Sequence, residues 1–171
     1  MSEKAREVLL IGYGNPGRCD DGLGPALATA IEKLNIPGVT VDANYQLSVE
    51  DAEAVANHKV AVFADADATG PEPFSFRAIE PRSYLSFSSH SLDPPAVLAL
   101  AHELFGAKTE GYLFGIRGYV FNEFNEALTE KAQANMESAL NFFQSVIAGN
   151  SFRRAAADFN QTNLSANKEE K

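Results

Sequence analysis

The stretch GYGNPGRCDDGLG, residues 12–24, follows directly on the apolar run Val8-Leu9-Leu10-Ile11. A short continuous apolar run bounded by glycine reads as a parallel strand buried on both faces. A glycine-rich turn at its end marks the strand end where open α/β sheets place their sites. The turn closes on two adjacent carboxylates, Asp20 and Asp21. Glycines alone invite a phosphate, whereas a pair of acids repels one and invites a cation or a proton.

Outward from this turn, strands and helices alternate. Residues 25–34 read as a helix, with Pro25 in its first turn and Leu27, Ala30, Ile31 and Leu34 on one face. Strands follow at 39–42, 60–64, 74–79 and 112–116, the fourth at or near an edge because it alternates more. Helices are expected from Ser48 to Ala56, where Ser48 and Asp51 resemble a capping box, at 96–105, and at 128–148. The last of these buries Leu128, Ala132, Met136, Ala139, Leu140, Phe143 and Ile147. The pattern predicts a three-layer α/β/α sandwich around a twisted, mostly parallel sheet of about five strands. It forms one domain over residues 1–150, with 151–171 as a polar, flexible tail.

At 171 residues the chain suffices for one full hydrophobic core. A formal net charge of −9 with scattered Lys and Arg argues against nucleic acid as a partner. No signal peptide and no membrane-spanning run is expected, which places the protein in the cytoplasm. Cys19 is the one cysteine, so the chain can form neither an internal disulfide nor a cysteine-based zinc site. Cys19 sits beside two acids that disfavour a thiolate, and reads as a filler residue.

Gly12, Gly14 and Gly17 match the dinucleotide fingerprint G-x-G-x-x-G, and Asp42 stands where a ribose-binding acid would. A dinucleotide-binding oxidoreductase is therefore an alternative. It is disfavoured because Pro16 and Gly17 delay the helix and because Asp20 and Asp21 would crowd any pyrophosphate.

The strand ends offer a different set. Asp21 follows the first strand, Asp65 the third, and His90 lies in the polar loop 86–95. Two carboxylates and an imidazole suit a borderline divalent cation with coordination positions left open. His58 and His102 lie in poorer places, before a strand and within a helix. Asp20 and Asp21 are adjacent, so one is expected to face the site and the other to brace the turn. Tyr13 and Tyr45 fit either the wall of a substrate groove or structural packing.

These residues resemble the hydrogenase maturation proteases, which trim the C-terminus of the nickel–iron hydrogenase large subunit. The likeness rests on Gly12, Gly14, Asn15, Asp20, Asp21 and Gly24 in order, on Asp65 within Phe63-Ala64-Asp65-Ala66, and on His90 before a helix. It spans the chain to about Ile147. Where many relatives carry D-G-G-T after the second strand, this chain reads Asp42-Ala43-Asn44-Tyr45-Gln46-Leu47.

The resemblance implies an endopeptidase of the aspartic-type grouping, with Asp20, Asp21, Asp65 and His90 as catalytic candidates. Asp21, Asp65 and His90 would contact nickel that the substrate precursor presents, with no organic cofactor. Asp20 or Asp21 would handle the proton. The expected partner is the large-subunit precursor, met by a monomer with no nucleic acid and no membrane involved. A non-catalytic nickel chaperone or sensor using the same ligands is a further alternative.

Overall fold

A computed structural model describes residues 7–82 and 92–169, with side chains to residue 162. His90 therefore lies outside the described residues, as does most of the expected loop 86–95. Five strands form the sheet: β1 Val8–Tyr13, β2 Val39–Asn44, β3 Val60–Asp67, β4 Phe74–Ile79 and β5 Glu110–Arg117. Their order is β2-β1-β3-β5-β4, all parallel except β4, which pairs antiparallel with β5 at the edge. The expected fold and the edge position of the fourth strand hold.

Period-two alternation along the strands sends side chains to both faces. Leu10 and Val62 pack on one face with Leu23, Leu27 and Ile31 of helix α1 (Leu23–Lys33) and with Met136 and Phe143 of α4 (Glu130–Gly149). Leu9, Ile11, Ala61 and Phe63 pack on the other, against Ala52 and Val55 of α2 (Glu50–Ala56) and Val97 and Ala101 of α3 (Pro94–Phe105). Each face thus buries a separate apolar cluster, which is the physical content of three layers.

The tail expectation does not hold. Residues Phe152–Glu169 form a fifth helix, α5. Phe152 and Ala156 are buried, and Phe159 stacks on Phe74 with ring centroids 6.0 Å apart. Phe152, Ala155, Ala156 and Phe159 recur at helical spacing, so a narrow apolar stripe lies inside a segment that is polar on average. This stripe covers aromatic side chains of the edge strand β4, a usual way to protect a sheet edge. A second difference is the length of β3, which runs three residues past the expected Ala64 and carries Asp65 inside its ladder opposite Gly115.

The chain leaves β1 toward β2 on one side and toward β3 on the other, so the strand order reverses between β1 and β3. Such a switch point opens a crevice at the carboxyl ends of the strands. The turn after β1 and the end of β3 meet there. Among the described residues, no helix is long and apolar enough to cross a membrane.

Candidate functional site

Two close approaches seat the turn on the sheet. A Cβ on Gly24 would lie 2.5 Å from the carbonyl oxygens of both Ala64 and Tyr13, so the start of α1 rests directly on the ends of β1 and β3. Gly14 has φ +138° and would place a Cβ 2.1 Å from the Asp21 carbonyl oxygen. Only glycine satisfies both conditions at that position. Of the glycines that imitate a dinucleotide fingerprint, Gly12 serves strand–helix packing, since a Cβ there would lie 2.1 Å from the Gly24 carbonyl oxygen, and Gly14 serves the turn. Helix α1 begins only at Leu23, behind both carboxylates, and leaves no pyrophosphate cradle at its N-terminus.

Asn15 organises the turn twice. Its side-chain oxygen accepts from the Gly17 N–H at 2.9 Å, and its own N–H donates to the Asp21 carboxylate at 2.9 Å. Asp21 lies in a short 3-10 turn, Cys19–Gly22, and is partly exposed at the crevice.

Asp20, one residue earlier, points the other way and is fully buried. One of its oxygens accepts the Thr129 N–H at 2.8 Å. The other accepts from the Tyr119 N–H at 2.8 Å, the Val120 N–H at 3.1 Å and the Thr129 hydroxyl at 2.9 Å. Burial alone would raise its pKa, but the bonds from Thr129, Tyr119 and Val120 outweigh it and hold the group below the usual carboxylate range. Of the adjacent acids, Asp21 faces the crevice and Asp20 braces the turn. The expectation of Asp20 as a catalytic group is corrected here, because both oxygens are committed to backbone and hydroxyl donors of the scaffold.

Asp65 stands beside β1 at the end of the β1–β3 ladder, whose last aligned pair is Gly12 and Ala64. Its carboxylate accepts from the Ala66 N–H at 2.8 Å and from the Tyr13 hydroxyl. Burial pushes its pKa up to about 6, with the nearby Asp21 charge adding to the rise and the Ala66 and Tyr13 bonds opposing it. Burial and the Asp65 charge drive the Tyr13 hydroxyl well above its ordinary value. Tyr13 therefore stands against Asp65 at the candidate site, one residue beyond the last aligned β1–β3 pair. Asp93, the N-cap of α3, also acts on Tyr13, so the start of α3 lies near this pair.

Two carboxylates that repel each other in a half-buried crevice suit a divalent cation, which would relieve that repulsion. Among the described residues, no three His, Cys, Asp or Glu side chains are grouped to hold a metal. His58 bonds the Ala54 carbonyl at 2.7 Å and the Thr40 hydroxyl at 3.1 Å, and His102 bonds the Thr109 carbonyl at 2.9 Å, so both serve the scaffold. The Cys19 thiol is buried and pushed up by burial, Glu123 and Asp20, in keeping with a packing role.

The raised Asp65 has a consequence for stability. An unfolded Asp loses its proton near pH 3.9, whereas the native one holds it to about 6. Between these values the native state binds the extra proton, so stability falls as pH rises and the full penalty is present above about 6. Asp65→Asn is expected to raise unfolding stability at pH 7 by on the order of 1–3 kcal/mol, with the gain gone at pH 4. Urea midpoints of the two proteins at both pH values check this.

No family model matches the chain, and no curated protein matches it by sequence. Solved structures do. The [NiFe] hydrogenase maturation protease HycI from Thermococcus kodakarensis KOD1 is 21% identical, covering 85% of this chain and 95% of its own, with a TM-score of 0.65. The hydrogenase maturating endopeptidase HybD from E. coli is 19% identical over 85% of this chain and 94% of its own, with a TM-score of 0.61. The hydrogenase 2 maturation peptidase from Thaumarchaeota archaeon SCGC_AB-539-E09 is 20% identical over 82% and 97%, with a TM-score of 0.60. The fold of this chain is the fold of the hydrogenase maturation proteases.

Proposed function

We propose that the protein is an endopeptidase that removes a C-terminal peptide from the large-subunit precursor of a nickel–iron hydrogenase. The observation that carries this reading is the pairing of Asp21 and Asp65 at the switch point of that fold, on the loop signature 12–24. Nickel arrives as part of the substrate. Asp21 and Asp65 supply carboxylate oxygens to it, and His90 is the third contact that the sequence offers.

The two acids differ in how they are held. Asp65 is half-buried and fixed by the Ala66 N–H and the Tyr13 hydroxyl. Asp21 is more open, anchored by the Asn15 N–H. Cleavage requires water to add to the scissile carbonyl and a proton to reach the departing amine. Asp20 is withdrawn from that work by its four donors. Of the two acids of the turn, Asp21 is then the one left to help handle the proton. No organic cofactor enters the scheme, and the protein acts as a cytoplasmic monomer of the aspartic-type grouping.

The test is incubation with purified nickel-loaded large-subunit precursor, followed by intact-mass spectrometry. The precursor is expected to shorten by one defined C-terminal peptide. Tight nickel uptake with no peptide released would replace this reading with that of a chaperone or sensor.

A further inference from the structure

The two most exposed large apolar side chains among the described residues are Phe124, 90% exposed, and Tyr45, 71% exposed. They come from different parts of the chain, one after β5 and one after β2, yet both are stitched to the turn that carries Asp21. The Asn44 carbonyl, next to Tyr45, accepts from the Gly14 N–H at 3.0 Å. Asn125, next to Phe124, donates to the Gly17 carbonyl at 3.0 Å and accepts from the Cys19 N–H at 2.8 Å. The aromatics therefore bracket the turn 14–19 from its two ends.

Both are held in place from behind. Asp51 accepts from the Ser48 N–H at 2.8 Å and from the Asn44 side chain at 3.1 Å, which fixes the loop that carries Tyr45. The Asp20 clasp on Tyr119, Val120 and Thr129 fixes both ends of the segment that carries Phe124. The exposed Arg18 lies within the same turn, its guanidinium 5.9 Å from the centre of the Phe124 ring. Exposed apolar residues scattered singly need no explanation. Two aromatics and an arginine whose backbone is tied to the turn that carries Asp21 are different, because these are the residue types that anchor protein interfaces, at lower entropic cost when the backbone is already held.

We infer that Tyr45, Arg18 and Phe124 form the docking rim for the large-subunit precursor, whose chain lies across the turn 14–19 on its way to Asp21 and Asp65. The precursor segment that fits is extended and carries apolar side chains on both sides of the turn. Arg18 donates to a carbonyl or carboxylate of that segment. This inference rests on the proposed function and names where its substrate binds.

The experiment compares wild type, Tyr45→Ser, Phe124→Ser, the double variant, and Leu104→Ser as a control. Leu104 is 63% exposed near the far end of α3. With the nickel-loaded precursor, each single variant is expected to raise KM about tenfold and the double variant roughly a hundredfold, with kcat within about twofold and unchanged thermal midpoints. Leu104→Ser is expected to leave KM as in wild type. An unchanged KM in the double variant, or an equal rise in Leu104→Ser, overturns the rim and leaves the protease reading intact. Should wild type bind the precursor without shortening it, the protease reading fails, and calorimetric Kd values across the same variants decide the rim by the same criteria. Absence of binding by wild type overturns both.

Discussion

Asp20→Ala is expected to destabilise the protein by about 3–5 kcal/mol, because it strips the acceptor from four buried or half-buried donors at once. The carboxylate is fully buried and ties the 3-10 turn Cys19–Gly22 to residues about 100 positions later. Thr129 is also the N-cap of α4, its hydroxyl accepting from the Ala132 N–H at 3.3 Å, so the same carboxylate orients the start of that helix. Asp20→Asn preserves the shape and one acceptor, but turns an amide N–H toward donors. It is expected to cost about 2–4 kcal/mol.

The pH signature separates this from a simple cavity. The native Asp20 titrates below the unfolded value, despite its burial, because of the bonds from Thr129, Tyr119 and Val120. Its stabilisation is therefore complete above the unfolded pKa of about 3.9 and disappears as pH falls through the lower native value. Denaturant unfolding of wild type and Asp20→Ala from pH 7 to pH 3 is expected to show two curves that converge toward the acid end. A constant gap between them, or a loss under 1 kcal/mol at pH 7, would show that Asp20 is not the clasp.

The second large effect concerns activity. If the proposed function holds, Asp21→Ala and Asp65→Ala are each expected to reduce precursor processing by about a thousandfold or more, since each then removes a contact that orients the substrate and the reacting groups. The variants differ in stability, which keeps the result interpretable. Asp65→Ala relieves a carboxylate whose burial is unfavourable, so its fold is expected to be at least as resistant to urea as wild type at pH 7. Loss of processing in a protein that is no less stable places Asp65 in the chemistry and not in the scaffold. Processing within tenfold of wild type in both variants would remove the two acids from the site.

Much of this was legible from residues 8–24 and 60–66 alone. The apolar runs and the glycine turn identify parallel strands, and strand-end carboxylates point to one crevice by the topology of open sheets. The division of labour between Asp20 and Asp21 was legible only as a division, since adjacent side chains diverge. Which acid turned inward depended on Tyr119, Val120 and Thr129, about 100 residues away, and no local pattern carries such a contact. Tyr13 was visible as an aromatic beside the site, but its role needed the β1–β3 register that sets it next to Asp65. The fifth helix escaped for another reason. Its apolar stripe is only four side chains in a segment dominated by polar residues, so average polarity hides the helical periodicity.

In the proposed function, the Asp21–Asp65 pair reads a metal carried by the substrate. The direct measurement is intact-mass analysis of the same large-subunit precursor, prepared nickel-loaded and nickel-free, after incubation with this protein. The nickel-loaded precursor is expected to lose its C-terminal peptide while the nickel-free one stays whole. Equal cleavage of the two preparations would contradict the claim.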